Sequence, residues 1–185
     1  MDVIKCIFDL YEKYGNEKYI GENITQLEHA IQTAEYAEKL GYDNEMILSC
    51  FLHDIGHLLG YYNKDRMFVN NEDFGVTDHE NIGADYLERL GFSKKITEPI
   101  RQHVNSKRYL VTINSIYFNN LSNASKNSLK CQGCKMNDIE LHEFQNNQHF
   151  ERCLMLRKCD DEGKKDIKSQ SYKKYIELCK IILNK

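Results

Sequence analysis

The chain has 185 residues, of which 41% are hydrophobic and 29% charged, and its formal net charge is -3. This composition is typical of a soluble globular protein, and the length fits one domain over residues 1–185. The small negative charge provides no general attraction to nucleic acid, and no apolar run is long enough to cross a bilayer. The first ten residues include acids and no small-residue cleavage site, so they do not resemble a signal peptide. We therefore expect a cytoplasmic protein without nucleic-acid or membrane partners.

The spacing of apolar residues predicts helices along the whole chain. A single proline and widespread 3.6-residue periodicity favour an all-α protein, and no segment has a convincing strand pattern. The first predicted helix has an apolar stripe from Val3 to Tyr11 and ends at Gly15. The second begins at a capping box, in which Thr25 caps the helix and Glu28 reaches back, and it ends at Gly41.

The third predicted helix is followed by a polar segment. Asp43 can cap this helix, which ends near Gly56 or Gly60. Residues 61–76 are polar and contain glycine, which indicates a surface loop in a position suited to covering a site. Residues 77–80 (TDHE) match a second capping box, which predicts the start of a fourth helix.

The second half of the chain is also predicted to be mainly helical. A helix tolerates proline in its first turn, so Pro99 predicts helical structure over residues 100–104. Residues 119–137 are rich in Asn, Ser and Lys and indicate a long ordered loop or two short turns. A helix is predicted at about 138–158, and a last amphipathic helix at about 170–184.

The seven cysteines predict free thiols rather than a disulfide framework, because their number is odd and no secretory signal is recognised. Cys131 and Cys134 form the one CxxC pair in the chain. Such a pair occurs in zinc sites and in redox motifs, but no second CxxC and no thioredoxin-like pattern accompanies it. We interpret the pair as part of a turn and its packing.

A histidine and an aspartate, His53 and Asp54, lie side by side within the apolar run of residues 51–58 (FLHDIGHL). Burying an isolated carboxylate in such surroundings is costly. A metal ion removes this cost, because an imidazole nitrogen and the oxygens of the adjacent carboxylate can bind one ion or bridge two. His57 follows His53 by four residues and is predicted to share its helix face.

The histidines of the first half of the chain recur at intervals of 24, 26 and 24 residues: His29, His53, His79 and His103. Each interval fits one helix and one connection, so successive helices can direct these side chains to a common centre. One such histidine alone would more often be an ordinary core or surface residue, but the coincidence of four favours a site. His142 and His149 lie among polar residues, and we interpret them as surface residues.

The order of these residues resembles the HD-domain metalloprotein superfamily, whose hallmark is a lone His, a His-Asp doublet and a late Asp. Here those residues are His29, His53 with Asp54, and Asp160. Longer segments are similar to the phosphonate-degrading HD-domain oxygenases, mixed-valence diiron enzymes that oxidise a 1-hydroxyalkylphosphonate and cleave its carbon–phosphorus bond. The resemblance implies a single-domain helical bundle with its metal-site core at about 19–164. The similar segments are 19–29 (YIGENITQLEH), 53–57 (HDIGH), 79–83 (HENIG), 97–110 (TEPIRQHVNSKRYL) and 156–161 (LRKCDD).

The resemblance implies a centre of two iron ions, Fe(II) and Fe(III), and O2 as co-substrate. It gives the first iron four ligands: His29, His53, Asp54 and Asp160. It gives the second iron His79, His103 and the bridging Asp54. Asp160 is expected rather than Asp161, because the first acid of the late motif is the usual ligand. Tyr19 and Glu22 are similar to a loop pair that occupies the resting metal centre and leaves when the substrate arrives.

A phosphonate carries up to two negative charges and therefore needs donors besides the metal. Lys107 lies four residues after the last of the spaced histidines, on the same face if the helix continues, and is the first candidate. His57 is a second candidate, and Ser125 resembles a family contact to the same group. Arg108 and Arg157 are equally expected to be exposed to solvent or to be paired with carboxylates.

Three functions are considered for these residues. The first is O2-dependent oxidation of 2-amino- or 2-trimethylammonio-1-hydroxyethylphosphonate at C1, with release of phosphate and of glycine or glycine betaine. The second is hydrolysis of a nucleotide or other phosphate ester by a divalent-metal phosphohydrolase, which would need the histidines and Asp54 but neither Tyr19 nor Glu22. The third is a binding or signalling module with a structural metal, against which the complete ligand set argues. The sequence does not distinguish the two phosphonates or indicate an oligomeric state.

Overall fold

The computed structural model describes residues 2–19, 21–61, 65–166 and 171–184. Within these ranges the regular structure is helical apart from one two-stranded antiparallel sheet, which confirms the all-α prediction. None of the described helices is long and apolar enough to span a bilayer. The assignment of the whole chain to one domain stays a prediction. The elements in chain order are α1 (Val3–Tyr14), α2 (Gln26–Lys39), α3 (Asn44–Leu52), α4 (Ile55–Leu59), β1 (Arg66–Val69), β2 (Glu72–Val76), α5 (His79–Arg89), α6 (Lys94–Arg101), α7 (His103–Ile113), α8 (Ser115–Asn120), α9 (Asn123–Cys131), α10 (Asp138–Gln145), α11 (Phe150–Glu162) and α12 (Lys173–Leu183).

Helix α3 lies at the centre of the core. Its residues 46–52 are all buried, because α2, α6, α11 and α12 pack around it. The ring of Phe51 has its centroid 4.8 Å from that of Tyr11 and 4.5 Å from that of Tyr175. The hydroxyl of Tyr11 also donates to the backbone carbonyl of Phe51 at 2.9 Å. The core therefore holds in place the helix that immediately precedes the His-Asp pair.

Several predicted helix boundaries are confirmed. Helix α2 begins at the predicted capping box, in which the N–H of Glu28 donates to Thr25 Oγ1 and the N–H of Thr25 donates to Glu28 Oε2. Asp43 caps α3 by accepting from the N–H of Met46 at 2.8 Å. Helix α12 lies within the last predicted helix, of which residue 170 is outside the described residues. The starts of α2 and α3 were predictable because each of their caps joins residues only three apart.

The segment 61–76, which was predicted to be a loop, contains the β1–β2 hairpin instead. Residues 62–64 of this segment are outside the described residues. The turn residues Asn70 and Asn71 have φ angles of 51° and 67°, as a two-residue hairpin turn requires. The prediction failed because strands of four and five residues are too short to show clear alternation.

The second predicted capping box is wrong, although a helix does begin there. Asp78, before the first helical residue, has a φ of 62°, and its side chain makes no capping hydrogen bond. The chain arrives from strand β2, which ends only three residues before α5 begins. A left-handed residue provides this sharp change of direction, so tertiary structure prevailed over the local capping signal.

Pro99 lies inside α6, which begins at Lys94 rather than at the proline. A proline within a helix cannot donate to the carbonyl four residues earlier, which is why the sequence predicted a later helix start. That carbonyl belongs to Lys95, and it accepts from Arg152 Nε at 3.2 Å instead. The replacement partner comes from α11, fifty-seven residues further along the chain.

The segment 119–137 was also predicted wrongly, because it includes the end of α8 and the whole of α9. Ser122 caps α9 by accepting from the N–H of Ser125 at 3.1 Å. The many Asn and Ser residues that indicated a loop therefore include the cap of a helix. This helix places Ser125 among the buried residues.

The helix predicted over 138–158 is two helices, α10 and α11, and α11 continues to Glu162. Residues 146–149 separate them. Within this break the side chain of Asn147 accepts from the N–H of His149 at 2.8 Å, a local bond that competes with helical hydrogen bonds. The continuation of α11 carries the late acidic pair inside a helix rather than in a loop.

Glu88 of α5 links this helix to α6, because its carboxylate accepts hydrogen bonds from Lys94, Thr97 and Arg101. Burial alone would raise the pKa of this carboxyl, but the three hydrogen bonds outweigh it and lower the pKa to about 2. The stabilisation is complete above the ordinary pKa of 4.5 and is lost as the pH falls toward 2. Between these values we expect the urea midpoint of the wild-type protein to fall more steeply than that of Glu88→Gln, which lacks this titration. Parallel profiles would contradict the prediction.

Candidate metal centre and substrate pocket

Six predicted ligands lie together at one buried centre. Each has at most 8% of its surface exposed. They come from the first turns of α2, α5 and α7, from the junction between α3 and α4, and from α11. The six residues are His29, His53, Asp54, His79, His103 and Asp160.

Asp54 lies between two histidine pairs and presents one oxygen to each. Its Oδ2 is 3.5 Å from Nε2 of His29 and 3.3 Å from Nε2 of His53. Its Oδ1 is 3.6 Å from Nε2 of His79 and 3.5 Å from Nε2 of His103. A carboxylate in this position can bridge two metal ions, one at each pair.

The two nitrogens within each histidine pair face each other. The Nε2 atoms of His29 and His53 are 3.1 Å apart, and so are those of His79 and His103. Asp160 lies at the first pair, with Oδ1 3.5 Å from Nε2 of His29. Two ligands at right angles, each about 2.1 Å from an ion, are about 3 Å from each other. The spacing therefore fits one ion at each pair.

Backbone carbonyls determine which nitrogen of each paired histidine carries the proton. Each Nδ1 lies 2.7–3.1 Å from a main-chain oxygen, and these oxygens belong to Gly163, Cys50, Val76 and Ile100. An Nδ1 that donates its proton leaves Nε2 with a free lone pair directed at the centre. Four such lone pairs around a carboxylate form a site that a cation would stabilise.

The charge states of these groups also favour a cation. Burial lowers the pKa of His29 to about 4 and the pKa of His103 well below its usual value. Both are neutral at pH 7, the form that binds metal. Burial would raise the pKa of Asp54, but His53 and its neighbours outweigh it and hold the pKa well below the usual value. Asp54 in turn raises the pKa of His53, although burial alone would lower it. The negative charge of Asp54 thus favours a proton on His53, and a bound metal cation would take the place of that proton.

His57 lies beside the second pair but has the opposite tautomer. Its ring stacks on that of His79 with centroids 3.8 Å apart, and it offers a nitrogen within 4.8 Å of ligand atoms of Asp54 and His79. However, His57 Nδ1 accepts from the N–H of Val76 at 3.0 Å, whereas His79 Nδ1 faces the carbonyl of Val76. The proton of His57 is therefore on Nε2, which makes this residue a donor rather than a metal ligand.

Tyr19 and Glu22 both line the pocket beside the metal ligands. The ring of Tyr19 stacks on that of His29, with centroids 4.0 Å apart. Burial, with the charges of Asp54 and Asp160, raises the pKa of Tyr19 well above its usual value, so the phenol is neutral. Oε1 of Glu22 is buried and has no hydrogen-bond partner among the described residues. The structure thus brings the predicted loop pair to the centre.

Three cationic side chains line the same pocket: Lys107, Arg157 and Lys164. Lys107 is only 4% exposed, and its Nζ donates to the hydroxyl of Ser128 at 2.9 Å. Burial and the nearby charges of Arg157 and Lys164 lower the pKa of Lys107 to about 7. Nζ of Lys164 lies 3.2 Å from Ser125 Oγ and 3.1 Å from Asp160 Oδ1. Converging cations and hydroxyls of this kind are suited to an anion.

The two arginines that the sequence left open are both paired with carboxylates. Arg157 is buried and contacts Asp160 at 2.7 Å and also Asp161. Arg108 contacts Glu140 at 2.6 Å. Asp160 is the member of the late acidic pair that approaches the histidines, as expected.

Cys131 and Cys134 are exposed free thiols around the end of α9. Among the described residues, neither belongs to a cluster of metal-ligating side chains. Cys134 has a φ of 57°, a conformation that glycine adopts more readily. These features agree with the interpretation of the pair as part of a turn.

Comparison with known proteins shows where this arrangement belongs. The HD domain family model matches residues 27–135, which is more than half of the chain. The chain belongs to the HD domain family. The match includes the His-Asp doublet and all four spaced histidines.

Relatives of this HD domain include two named phosphonate dioxygenases. The chain is 39% identical over 180 residues to the hydroxymethylphosphonate dioxygenase of Gimesia maris, covering 95% of the chain and 87% of that protein. It is 36% identical over 172 residues to the 1-hydroxy-2-(trimethylamino)ethylphosphonate dioxygenase (glycine-betaine-forming) of Leisingera caerulea, covering 92% and 85%. A protein of Acanthamoeba polyphaga mimivirus is 43% identical over 172 residues, covering 91% and 77%. These relatives confirm the resemblance to HD-domain oxygenases.

Several pocket residues of this HD domain were not predicted from the sequence. Lys164 follows Asp160 by four residues, a spacing that could have indicated it. Met67 and Phe74 come from the hairpin, whose Asn-Asn turn was the overlooked signal. The unpredicted lining residues include Gln26, Met67, Phe74, Gln132 and Lys164.

In this HD domain, α4 approaches α5 through two glycines. A β-carbon on Gly56 would lie 1.9 Å from the carbonyl oxygen of His79, and Gly83 forms the other side of the contact. We expect Gly56→Ala to separate the helices, destabilise the fold by about 3 kcal/mol and reduce metal retention, because His79 would move away from Asp54.

Gly91→Ala is the control for this substitution. The φ of Gly91 is 96° but a β-carbon there meets open space, so we expect a cost of about 1 kcal/mol and unchanged metal retention. Urea unfolding and metal bound per chain measure the two effects. Equal behaviour of the two variants would contradict the close-approach argument.

Proposed function

We propose that this HD-domain oxygenase uses two iron ions and O2 to oxidise a 1-hydroxyalkylphosphonate at C1, releasing inorganic phosphate and a carboxylic acid. The reaction balances, because four electrons pass from the carbon to dioxygen and the two oxygen atoms enter the products. The names of two relatives support this reaction class. We assign the first iron to His29, His53, Asp54 and Asp160, and the second to Asp54, His79 and His103.

The observation that carries the proposal is a buried lysine beside this ligand set. Lys107 is 4% exposed, and among the described residues its Nζ hydrogen-bonds to a serine hydroxyl rather than to a carboxylate. A buried cation without a counter-ion is costly. Such a lysine is explained if an anion arrives with the substrate. A phosphonate next to the iron ligands would provide that charge.

The polar residues around Lys107 would bind and orient the phosphonate. Lys164 and Ser125 already contact each other at 3.2 Å, so both can reach one anionic group. His57 would donate to the same group through its Nε2 proton. These donors neutralise the substrate charge and fix the position of C1 relative to the metal centre.

The ligands and the loop residues would control the metal centre. The irons, when bound, supply the redox chemistry with O2. Asp54 would share its negative charge between the two ions, and Asp160 would add charge at the first. Tyr19 and Glu22 would bind the resting iron and leave when the substrate arrives, which keeps the centre closed until then.

The group attached to C1 distinguishes the candidate substrates. A 2-amino substituent would give glycine, a 2-trimethylammonio substituent would give glycine betaine, and hydroxymethylphosphonate has no substituent. The cavity in the pocket is about 60 Å³ with Tyr19 and Glu22 in place. Both residues would leave when the substrate arrives, so the assay described next compares all three substrates.

The proposal is tested with protein that is purified anaerobically and loaded with Fe(II). It is mixed with each of the three phosphonates, with and without O2, and phosphate release is measured. We expect phosphate only with O2, and none from His53→Ala, while His142→Ala, at an exposed position, behaves like the wild type. O2-independent release of phosphate from a nucleotide, with no phosphonate consumed, would instead identify a phosphohydrolase.

A further inference from the structure

The side chain of Gln32, in α2, binds the backbone of a residue 133 positions further along the chain. Its Nε2 donates to the carbonyl of Lys165 at 2.9 Å, and its Oε1 accepts from the N–H of Lys165 at 3.0 Å. Gln32 is buried, with 6% of its surface exposed. A side-chain amide has both a donor and an acceptor, so it can satisfy both backbone groups of one residue. Gln32 therefore holds residues 163–166, which follow α11, against α2.

The face of α2 that holds segment 163–166 also carries His29. Residues 29, 32 and 33 are spaced by three and four positions, so they lie on one helix face. The carbonyl of Gly163 lies 2.8 Å from Nδ1 of His29. A β-carbon on Gly163 would lie 2.3 Å from Thr33 Oγ1, so this glycine packs directly against α2. The carbonyl that orients His29 thus belongs to the segment that Gln32 holds.

Lys164 lies between these two contacts and reaches a second proposed ligand of the first iron. Its Nζ is 3.1 Å from Asp160 Oδ1 and 3.2 Å from Ser125 Oγ. Segment 163–166 therefore contacts two of the four proposed ligands of this iron, His29 through a backbone carbonyl and Asp160 through a side chain.

His29 differs from the other three paired histidines in the origin of its carbonyl partner. Each of the other three has Nδ1 beside the carbonyl of the residue three positions earlier, and these pairs are His53 with Cys50, His79 with Val76 and His103 with Ile100. The partner of His29 is 134 residues away. A carbonyl three residues away is positioned by the local backbone, whereas a distant carbonyl needs a support of its own. Gln32 provides that support.

We propose that Gln32 is a positioning residue for the first iron, acting through segment 163–166 on His29 and Asp160; this inference rests on the iron ligands assigned in the proposed function. Partners that hydrogen-bond to a ligating histidine fix its ring orientation and the nitrogen that faces the metal. Without the two hydrogen bonds of Gln32, the carbonyl of Gly163 would lose its fixed position. His29 would then be held less firmly toward the ion.

The first test measures solvent exchange of histidine ring protons by NMR. The full chain, with isotopically labelled histidine, is loaded with Zn(II), a d¹⁰ ion that binds the same types of side chain. Gln32→Met keeps the length of the side chain but cannot form the two hydrogen bonds. We expect the Nδ1 proton of His29 to exchange at least about 10-fold faster in this variant. The corresponding protons of the other three histidines should change by less than about 3-fold, because their acceptors are local.

The second test measures Fe(II) binding under anaerobic conditions by competition with a chelator. We expect Gln32→Met to weaken binding of one iron by about 10- to 100-fold and of the other by less than about 3-fold. A general loss of stability would instead weaken both. Gln148→Met, at an exposed position, is the matched control and should change neither measurement. If Gln32→Met does not fold, Gln32→Glu, which loses only the donor to the carbonyl of Lys165, is measured with the same expected direction.

The positioning role requires both selective changes. If either is absent, or if all four histidines or both irons respond equally, the role of Gln32 is wrong, whatever the phosphonate assay gives. Neither measurement depends on turnover. Selective changes in a protein that oxidises no phosphonate would therefore support the role of Gln32 while refuting the proposed reaction. A wild-type protein that binds no iron would refute both proposals.

Discussion

Asp54→Asn is expected to reduce O2-dependent phosphate release by at least about 1,000-fold, which corresponds to about 4 kcal/mol of transition-state stabilisation. The variant keeps the shape of the side chain but removes the charge that both histidine pairs share. One Asp54 oxygen lies 3.3 Å from His53 Nε2, and the other lies 3.5 Å from His103 Nε2. Both ions would therefore lose a ligand through one substitution, and iron bound per chain should fall together with activity.

Iron content and phosphate release are measured on the same preparation of Asp54→Asn. Asp138→Asn changes an exposed carboxylate in α10 and serves as the matched control, with no expected change in either quantity. A variant of Asp54 that kept two irons and wild-type turnover would show that this residue does not bridge the centre. Loss of one iron alone would mean that Asp54 serves a single ion.

Lys107→Met is expected to lower kcat/KM for the phosphonate by about 100-fold, since loss of a hydrogen bond to a charged group costs about 3 kcal/mol. Most of the loss should be in KM, because Lys107 is proposed to contact the substrate and not the iron ligands. The same variant should not be less stable than the wild type. Burial already lowers the pKa of Lys107 to about 7, so the folded protein gains little from this charge.

The combination of weaker substrate binding and unchanged stability is what identifies Lys107 as a binding residue. Urea unfolding of the substrate-free protein and iron content are measured beside the kinetics. Lys130→Met removes an exposed lysine from the neighbouring helix α9 and should change none of these quantities. A large loss of stability with unchanged KM would show that Lys107 has a structural role instead.

The sequence by itself determined the helical class and the residues of the candidate centre. The capping box at Thr25 and the cap at Asp43 are local, because each joins a side chain to a backbone group three residues away. The regular spacing of the histidines and the doublet of His53 and Asp54 are equally visible without a structure. Chemistry that depends on residue type and near-neighbour spacing can be predicted in this way.

Only the tertiary structure decided which hydrogen-bond partners hold the residues of the centre and of its supporting helices. Val76 donates to one histidine and accepts from another, and this gives His57 and His79 opposite tautomers. The carbonyl left free by Pro99 finds Arg152 in a distant helix. These partners are separated by many residues, and no local pattern encodes such contacts.

In the pocket, too, some features follow from the sequence and others depend on the tertiary structure. Lys107 was predicted from its spacing after a histidine, but its serine partner comes from α9 and its burial depends on the helices that pack against α7. Gln132 lies in a segment that the sequence indicated as a loop, and its unpaired oxygen is visible only once α9 and the hairpin are in place. Which side chains remain unpaired depends on every surrounding element, so this property belongs to the folded chain and not to the order of its residues.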